Sequence, residues 1–125
     1  MLTIRKQQID ILSEYMVKRF EDQVLAHLKT AFPETFEQKG EEGLRRIIRD
    51  GMEHTRHYGL VSEYDIARFL ILRVLREDFD TNPETPWVGT VLNSTVLSPH
   101  LKMDQLCRHA ESEFWITPDK WPALE

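Results

Sequence analysis

His54 and His57 stand three residues apart with Glu53 beside them. On a helix, that spacing brings two imidazoles towards one side, an arrangement that zinc and di-iron sites draw on. Such a site needs further ligands from other helices, and no Glu-x-x-His motif is repeated in the chain. His57 also projects away from the apolar stripe of its segment. Both histidines are therefore expected at the surface, and a metal-dependent enzyme using His54 and His57 stands only as an alternative. No metal and no cofactor is expected. Asp78, Asp80, Asn82 and Glu84 place oxygen-bearing side chains at alternate positions, as an EF-hand loop begins. The match then fails. Loop position six, which requires glycine, is Pro83, and the bidentate glutamate of position twelve is replaced by Gly89. Asp and Asn in that loop read as turn formers that bond nearby backbone.

Cys107 is the single cysteine, so no intrachain disulfide can form. It falls on an apolar stripe, where a thiol is inert. A Cys107–His109 nucleophile pair fails on geometry, because residues two apart on a helix project about 200° from one another. His27 lies near the centre of another apolar stripe and is expected to be a core histidine with one hydrogen-bonded partner. There is no nucleophile elbow, phosphate-binding loop or dinucleotide fingerprint. Enzymatic activity is not expected.

The aromatic residues say more. Trp87, Trp115 and Trp121 all fall in residues 78–125, which carry three basic and eight acidic side chains and so hold the entire net charge of −5. That surface would repel a phosphate backbone, so nucleic acid is not an expected partner. A basic protein is compatible with it. Tryptophan is enriched at binding hot spots. The candidate protein contacts are therefore Phe79, Trp87, Trp115 and Trp121, with Asp78, Asp80, Glu111 and Glu113 as an electrostatic rim. Two alternatives stay open. Trp121 could fold back with the tail to plug the core, and Phe79 could staple its loop to the preceding helix.

Five helices must position these groups. Ile9, Leu12, Met16, Phe20, Val24 and Leu28 recur at steps of three and four. They predict a first helix from about Thr3, its N-cap, to Phe32, roughly 40 Å long and the spine of the fold. Pro33 ends it, and residues 33–40 form a connection closed by Gly40. The second helix, from about Glu41 to Tyr58, carries the stripe Leu44, Ile47, Ile48, Gly51, Met52, Thr55 and Tyr58. Gly51 marks close approach of another helix, and Gly59 supplies the left-handed end. Ser62 with Asp65 opens a third helix, from about Glu63 to Glu77. It is apolar almost all round, so it is either central or covered by another chain. Arg73 on it is expected to snorkel outward, or else to need a buried carboxylate. Thr85-Pro86 and Ser98-Pro99 start the fourth and fifth helices. The fourth turns Trp87, Val88, Val91, Leu92 and Thr95 inward, and the fifth Met103, Leu106, Cys107, Ala110 and Phe114. The result is an all-α, single-domain bundle over residues 1–116 with an irregular tail over 117–125. No signal peptide and no membrane span is read, and a cytoplasmic protein is expected.

The segments Tyr58-Gly-Leu-Val-Ser-Glu-Tyr-Asp-Ile66 and Asp78-Phe-Asp-Thr-Asn-Pro-Glu-Thr-Pro-Trp87 carry a resemblance, joined by Leu2-Thr-Ile-Arg5 and by His27-Leu28 to Phe32-Pro33. Over roughly residues 1–95 the chain resembles a group of small bacterial proteins encoded near type VI secretion spike and effector genes. The shared motifs are caps, turns and one tryptophan. The resemblance implies a cytoplasmic accessory, adaptor or immunity role and transfers no active-site residue. Together with the residues, it favours a non-enzymatic, chaperone-like or adaptor protein that binds another protein. The structural alternative is a homodimer or larger homo-oligomer with its seam along the third helix.

Overall fold

The computed structural model describes residues 3–4 and 14–124. Five helices follow one another: α1 Glu14–Ala31, α2 Pro33–His57, α3 Glu63–Leu75, α4 Pro86–Leu92 and α5 Pro99–Ser112. A 3-10 turn at Pro118–Lys120 leads to a two-residue strand, β2 Ala123–Leu124, which pairs in parallel with β1 Thr3–Ile4. The all-α bundle is as the periodicity predicts. Thr3, however, belongs to β1, while Ile9 and Leu12 lie outside the described residues. The eighteen residues of α1 span about 27 Å. Phe20, Val24 and Leu28 are buried along it, whereas Met16 is 38% exposed.

The spine is α3, not α1. It packs against α1, α2 and α5, and every residue from Asp65 to Val74 is buried within this single chain. Its apolar girdle is thus filled internally. Ser62 caps it by accepting from the Asp65 amide at 3.1 Å. Asp65 does not reach back to complete a capping box; it turns to Arg68 and His100 instead. Gly51 is where α2 lies closest to α3. A Cβ there would stand 2.5 Å from Leu70 Cδ2 and 3.4 Å from Arg73 Cδ, so any side chain at this position would force the buried Leu70 to shift.

Pro33 stops α1 but also starts α2 as its first residue, so most of the expected 33–40 connection is helical. The break falls at Gly40, with φ 75° and ψ 161°. At the other end α2 closes in a Schellman turn. The Leu60 amide donates to Thr55 O at 3.0 Å and the Gly59 amide to Arg56 O at 3.2 Å, with Gly59 at φ 77°. Lys102, buried on α5, ties the bundle from within. Its ammonium donates to Leu92 O at 2.8 Å and Tyr58 O at 3.3 Å, where α4 and α2 end. The sequence pattern does not show this residue, because a lysine in an apolar stripe ordinarily snorkels.

The tail folds back. His27, 5% exposed, hydrogen-bonds Lys120 O through Nε2 at 2.7 Å, and Lys120 Nζ donates to Ala31 O at 3.0 Å, capping α1. His27 is thus a core histidine with one polar partner. Among the described residues no helix is long and apolar enough to cross a membrane.

Candidate functional site

Two regions gather the residues that could bind or react. The first is a polar hub where α2, α3 and the following loop meet. Asp50 and His54 on α2 and Tyr58 just past its end recur every four residues and gather with Arg73 of α3. The loop after α3 is short and returns through Phe79, which sinks into the core edge-on to Phe69, with ring centroids 5.2 Å apart. That burial carries the next residue, Asp80, onto the arginine. Asp80 accepts from Arg73 Nη1 at 3.0 and 3.2 Å, from Tyr58 Oη at 3.0 Å and meets His54 Nδ1 at 3.1 Å. Arg73 also reaches Asp50 at 2.7 Å and contacts His54 Nδ1. That nitrogen donates to Asp80 when it carries the proton and accepts from Arg73 when it does not. Burial, and then the Asp80 charge, push the Tyr58 hydroxyl up to about 12.

Chemically, the hub is a clamp. The Asp80 side chain is wholly enclosed and its oxygens are engaged by Arg73, Tyr58 and His54, so it has no free face to serve as a base. The expected snorkelling of Arg73 is overturned. Its side chain is about nine-tenths buried, and its guanidinium takes the alternative, a buried carboxylate. His54 and His57 do not converge. His54 turns into the hub, while His57 is exposed and packs edge-on to Tyr58. Among the described residues, no group of three or more His, Cys, Asp or Glu could hold a metal ion.

A second clamp joins α3 to α5. Arg68 donates to Asp65 at 2.7 Å and Asp104 at 2.8 Å, and His100 meets Asp65 at 3.0 Å. Cys107 lies nearby, its thiol pushed by burial up to about 12, which leaves it protonated and inert.

The second region is aromatic and faces solvent. Trp87 on α4 packs on His109 of α5 with centroids 4.0 Å apart, and His109 meets Trp115 edge-on at 6.3 Å. The Arg76 guanidinium at the end of α3 lies 4.4 Å over the Trp115 ring. Glu113 stands 3.7 Å from His109 Nε2. Both indoles are half-buried, with one side against the core. Phe114, expected inside, is instead 94% exposed. The reason is backbone geometry. After Ser112, α5 closes in a Schellman turn, the Trp115 amide donating to Ala110 O at 2.9 Å and the Phe114 amide to Glu111 O at 3.1 Å. That turn puts Phe114 at the left-handed position, φ 61°, which glycine usually fills, and swings its ring off the stripe.

The residues singled out from sequence thus divide. Trp87, Trp115 and Glu113 come together on this face. Asp78 is exposed two residues beyond Arg76. Phe79, 2% exposed, and Asp80, with its enclosed side chain, are not surface contacts: Phe79 staples its loop to α3 and Asp80 pairs with Arg73. Trp121 is half-buried against the core, its indole donating to Glu111 at 3.1 Å, so both residues brace the folded-back tail. Thr95, expected on the inner face of α4, is exposed beyond that helix. Sequence reasoning missed Arg76 and His109 as members of the face, and missed the exposure of Phe114. The only legible sign was the four-residue spacing of His109 and Glu113.

No family model matches the chain, and neither a curated protein nor a solved structure does. The two segments that carry the resemblance serve the fold here. One holds the Schellman turn at Gly59 and the Ser62 cap, the other the buried pair Phe79 and Asp80.

Proposed function

We propose that this protein works by binding another protein through the face built from Trp87, His109, Phe114 and Trp115, as a non-enzymatic accessory, adaptor or immunity protein. The observation that carries the reading is Phe114. A phenylalanine held in the left-handed region costs roughly 1–2 kcal/mol, and 94% exposure leaves it with no intrachain packing to offset that cost. A single exposed apolar residue is ordinary. This one immediately precedes Trp115 in the chain, and tryptophan is enriched at binding hot spots. The polar hub supports the same reading from the other side, because its carboxylate and its arginine are committed to each other. The bacterial secretion or toxin setting rests on the resemblance of the loop segments alone.

The test is affinity capture from a bacterial host lysate with the wild-type chain and with Phe114→Asp. Expected is a discrete partner retained by the wild type and lost by the variant, with unchanged helicity and melting temperature. Equal capture by both proteins would move the site elsewhere.

A further inference from the structure

A cavity of 280 Å³ opens between α2 and the end of α3, lined by Arg46, Ile47, Asp50, Arg73 and Glu77. We infer that it binds a small zwitterion, a free aliphatic α-amino acid. Its carboxylate is held by Arg46 and Arg73, its ammonium by Asp50 and Glu77, and its side chain lies against Ile47. The volume falls just below the roughly 300–1,000 Å³ of pockets for drug-sized ligands, so the occupant is small. Arg73 reaches the cavity because α2 carries no side chain at Gly51, where a Cβ would stand 3.4 Å from Arg73 Cδ and 4.0 Å from its Nε. Asp80 and His54 engage Nη1, and Asp50 takes one hydrogen of Nη2. The other Nη2 hydrogen and the Nε hydrogen have no acceptor among the described residues. The Arg73–Asp80 pair can therefore stay intact while the same guanidinium takes a ligand carboxylate, which its planar fork matches. Arg46 is exposed and has no ion pair among the described residues, because Asp50, one turn further along α2, is drawn to Arg73 at 2.7 Å instead. Asp50 gives Arg73 only Oδ2, and Glu77 meets Lys39 only through Oε1, at 3.6 Å. Their side chains are 60% and 62% exposed, so each has a second oxygen open to an ammonium group. Two cations and two carboxylates thus line the cavity and their formal charges cancel. A purely anionic or cationic ligand meets repulsion from one pair where it meets attraction from the other, whereas a zwitterion gains from both.

The probe is L-leucine, titrated calorimetrically against the full chain. Three relatives are titrated beside it: N-acetyl-leucine, which lacks the ammonium, leucinamide, which lacks the carboxylate, and glycine, which lacks the side chain. Leucine is expected to bind with a millimolar or lower Kd and to raise the melting temperature. Each of the other three should bind at least about tenfold more weakly, which is about 1.4 kcal/mol. Arg46→Ala and Glu77→Gln alter exposed side chains. Each should weaken leucine binding by a similar factor while the melting temperature of the free protein stays unchanged. Neither heat nor a thermal shift with about 10 mM leucine, ten times a millimolar Kd, would overturn the site. Equal binding of N-acetyl-leucine would make it a plain anion site, and equal binding of leucinamide a plain cation site; either overturns the zwitterion. Equal binding of glycine would overturn the role of Ile47. Leucine binding that is indifferent to either substitution would overturn the assignment to this cavity. The docking reading is decided by Phe114-dependent capture, so each of the two can fall without the other.

Discussion

Phe79 and Phe114 each follow a helix within a few residues of its end, and they have opposite fates. Phe79, after α3, is 2% exposed; Phe114, after α5, is 94% exposed. The residue type is the same, so hydrophobicity alone did not separate them. What differs is the backbone path. After α3 the chain leaves its helix at Arg76 in an extended conformation and turns back, with the Phe79 amide donating to Arg76 O at 2.9 Å. That return delivers Phe79 to Phe69 and Asp80 to Arg73. After α5 the chain closes in a left-handed turn, and the ring at that position points away from the stripe behind it. One helix end is therefore locked to the core by a ring and an ion pair, while the other presents its ring to solvent.

The contrast predicts unequal effects. The largest should come from Phe79→Ala, about 3–5 kcal/mol of lost stability in chemical denaturation, as for other buried phenylalanines. Phe114→Ala should stay within roughly 0.5 kcal/mol of wild type, as exposed sites do. Similar losses at both positions would erase the distinction. Next is Asp80→Ala, which strips Arg73 of its enclosed partner and should cost about 3 kcal/mol. Asp50 remains, but its side chain is 60% exposed and screens the cation poorly. A smaller effect of the opposite sign is expected from Phe114→Gly. Glycine meets no steric penalty at φ 61°, so the chain should gain about 0.5–1 kcal/mol while partner capture is lost. A destabilised glycine variant would mean that the ring packs on something in the free protein.

The smallest effect concerns pH. The ordinary thiol value of 9.0 is pushed up to about 12 at Cys107, and the ordinary phenol value of 10.0 to about 12 at Tyr58. Both groups keep their protons in the folded chain after the unfolded chain has released them. Their contribution to stability is therefore intact below about pH 9 and is lost as pH rises from there towards 12. Denaturation midpoints measured across that range should fall in the wild type and fall less in Tyr58→Phe. In the native protein, Cys107 should resist thiol reagents near neutral pH until the chain unfolds.

Much of the fold was legible because it rests on periodicity and on local backbone chemistry. The stripes of the helices, the starts at Pro86 and Pro99, the Ser62 and Ser98 caps, the turn at Gly59 and the close approach at Gly51 all depend on residues within a turn or two of one another. The candidate site was legible only in part. Trp87 and Trp115 stood out by type, but nothing local linked either to His109 or to Arg76. The 3.6-residue period ran on to Phe114 and counted it as buried, because a period does not say where its helix stops. For Arg73 the carboxylate stood only as the alternative, and Arg68 drew no reading, for a related reason. An arginine within an apolar stripe reads as a snorkelling side chain until a carboxylate from a distant segment is seen beside it.

By itself the sequence determined the helical class, the number of helices, most of their caps and breaks, and the acidic excess of the last third. These follow from side-chain spacing and backbone preference, which act over a few residues. Only the tertiary structure decided that α3 is the spine, that Asp80 belongs inside and Phe114 outside, and that Trp121 braces the tail. Each of those depends on which segments meet across the bundle, and packing and charge pairing between distant segments leave no mark in local order.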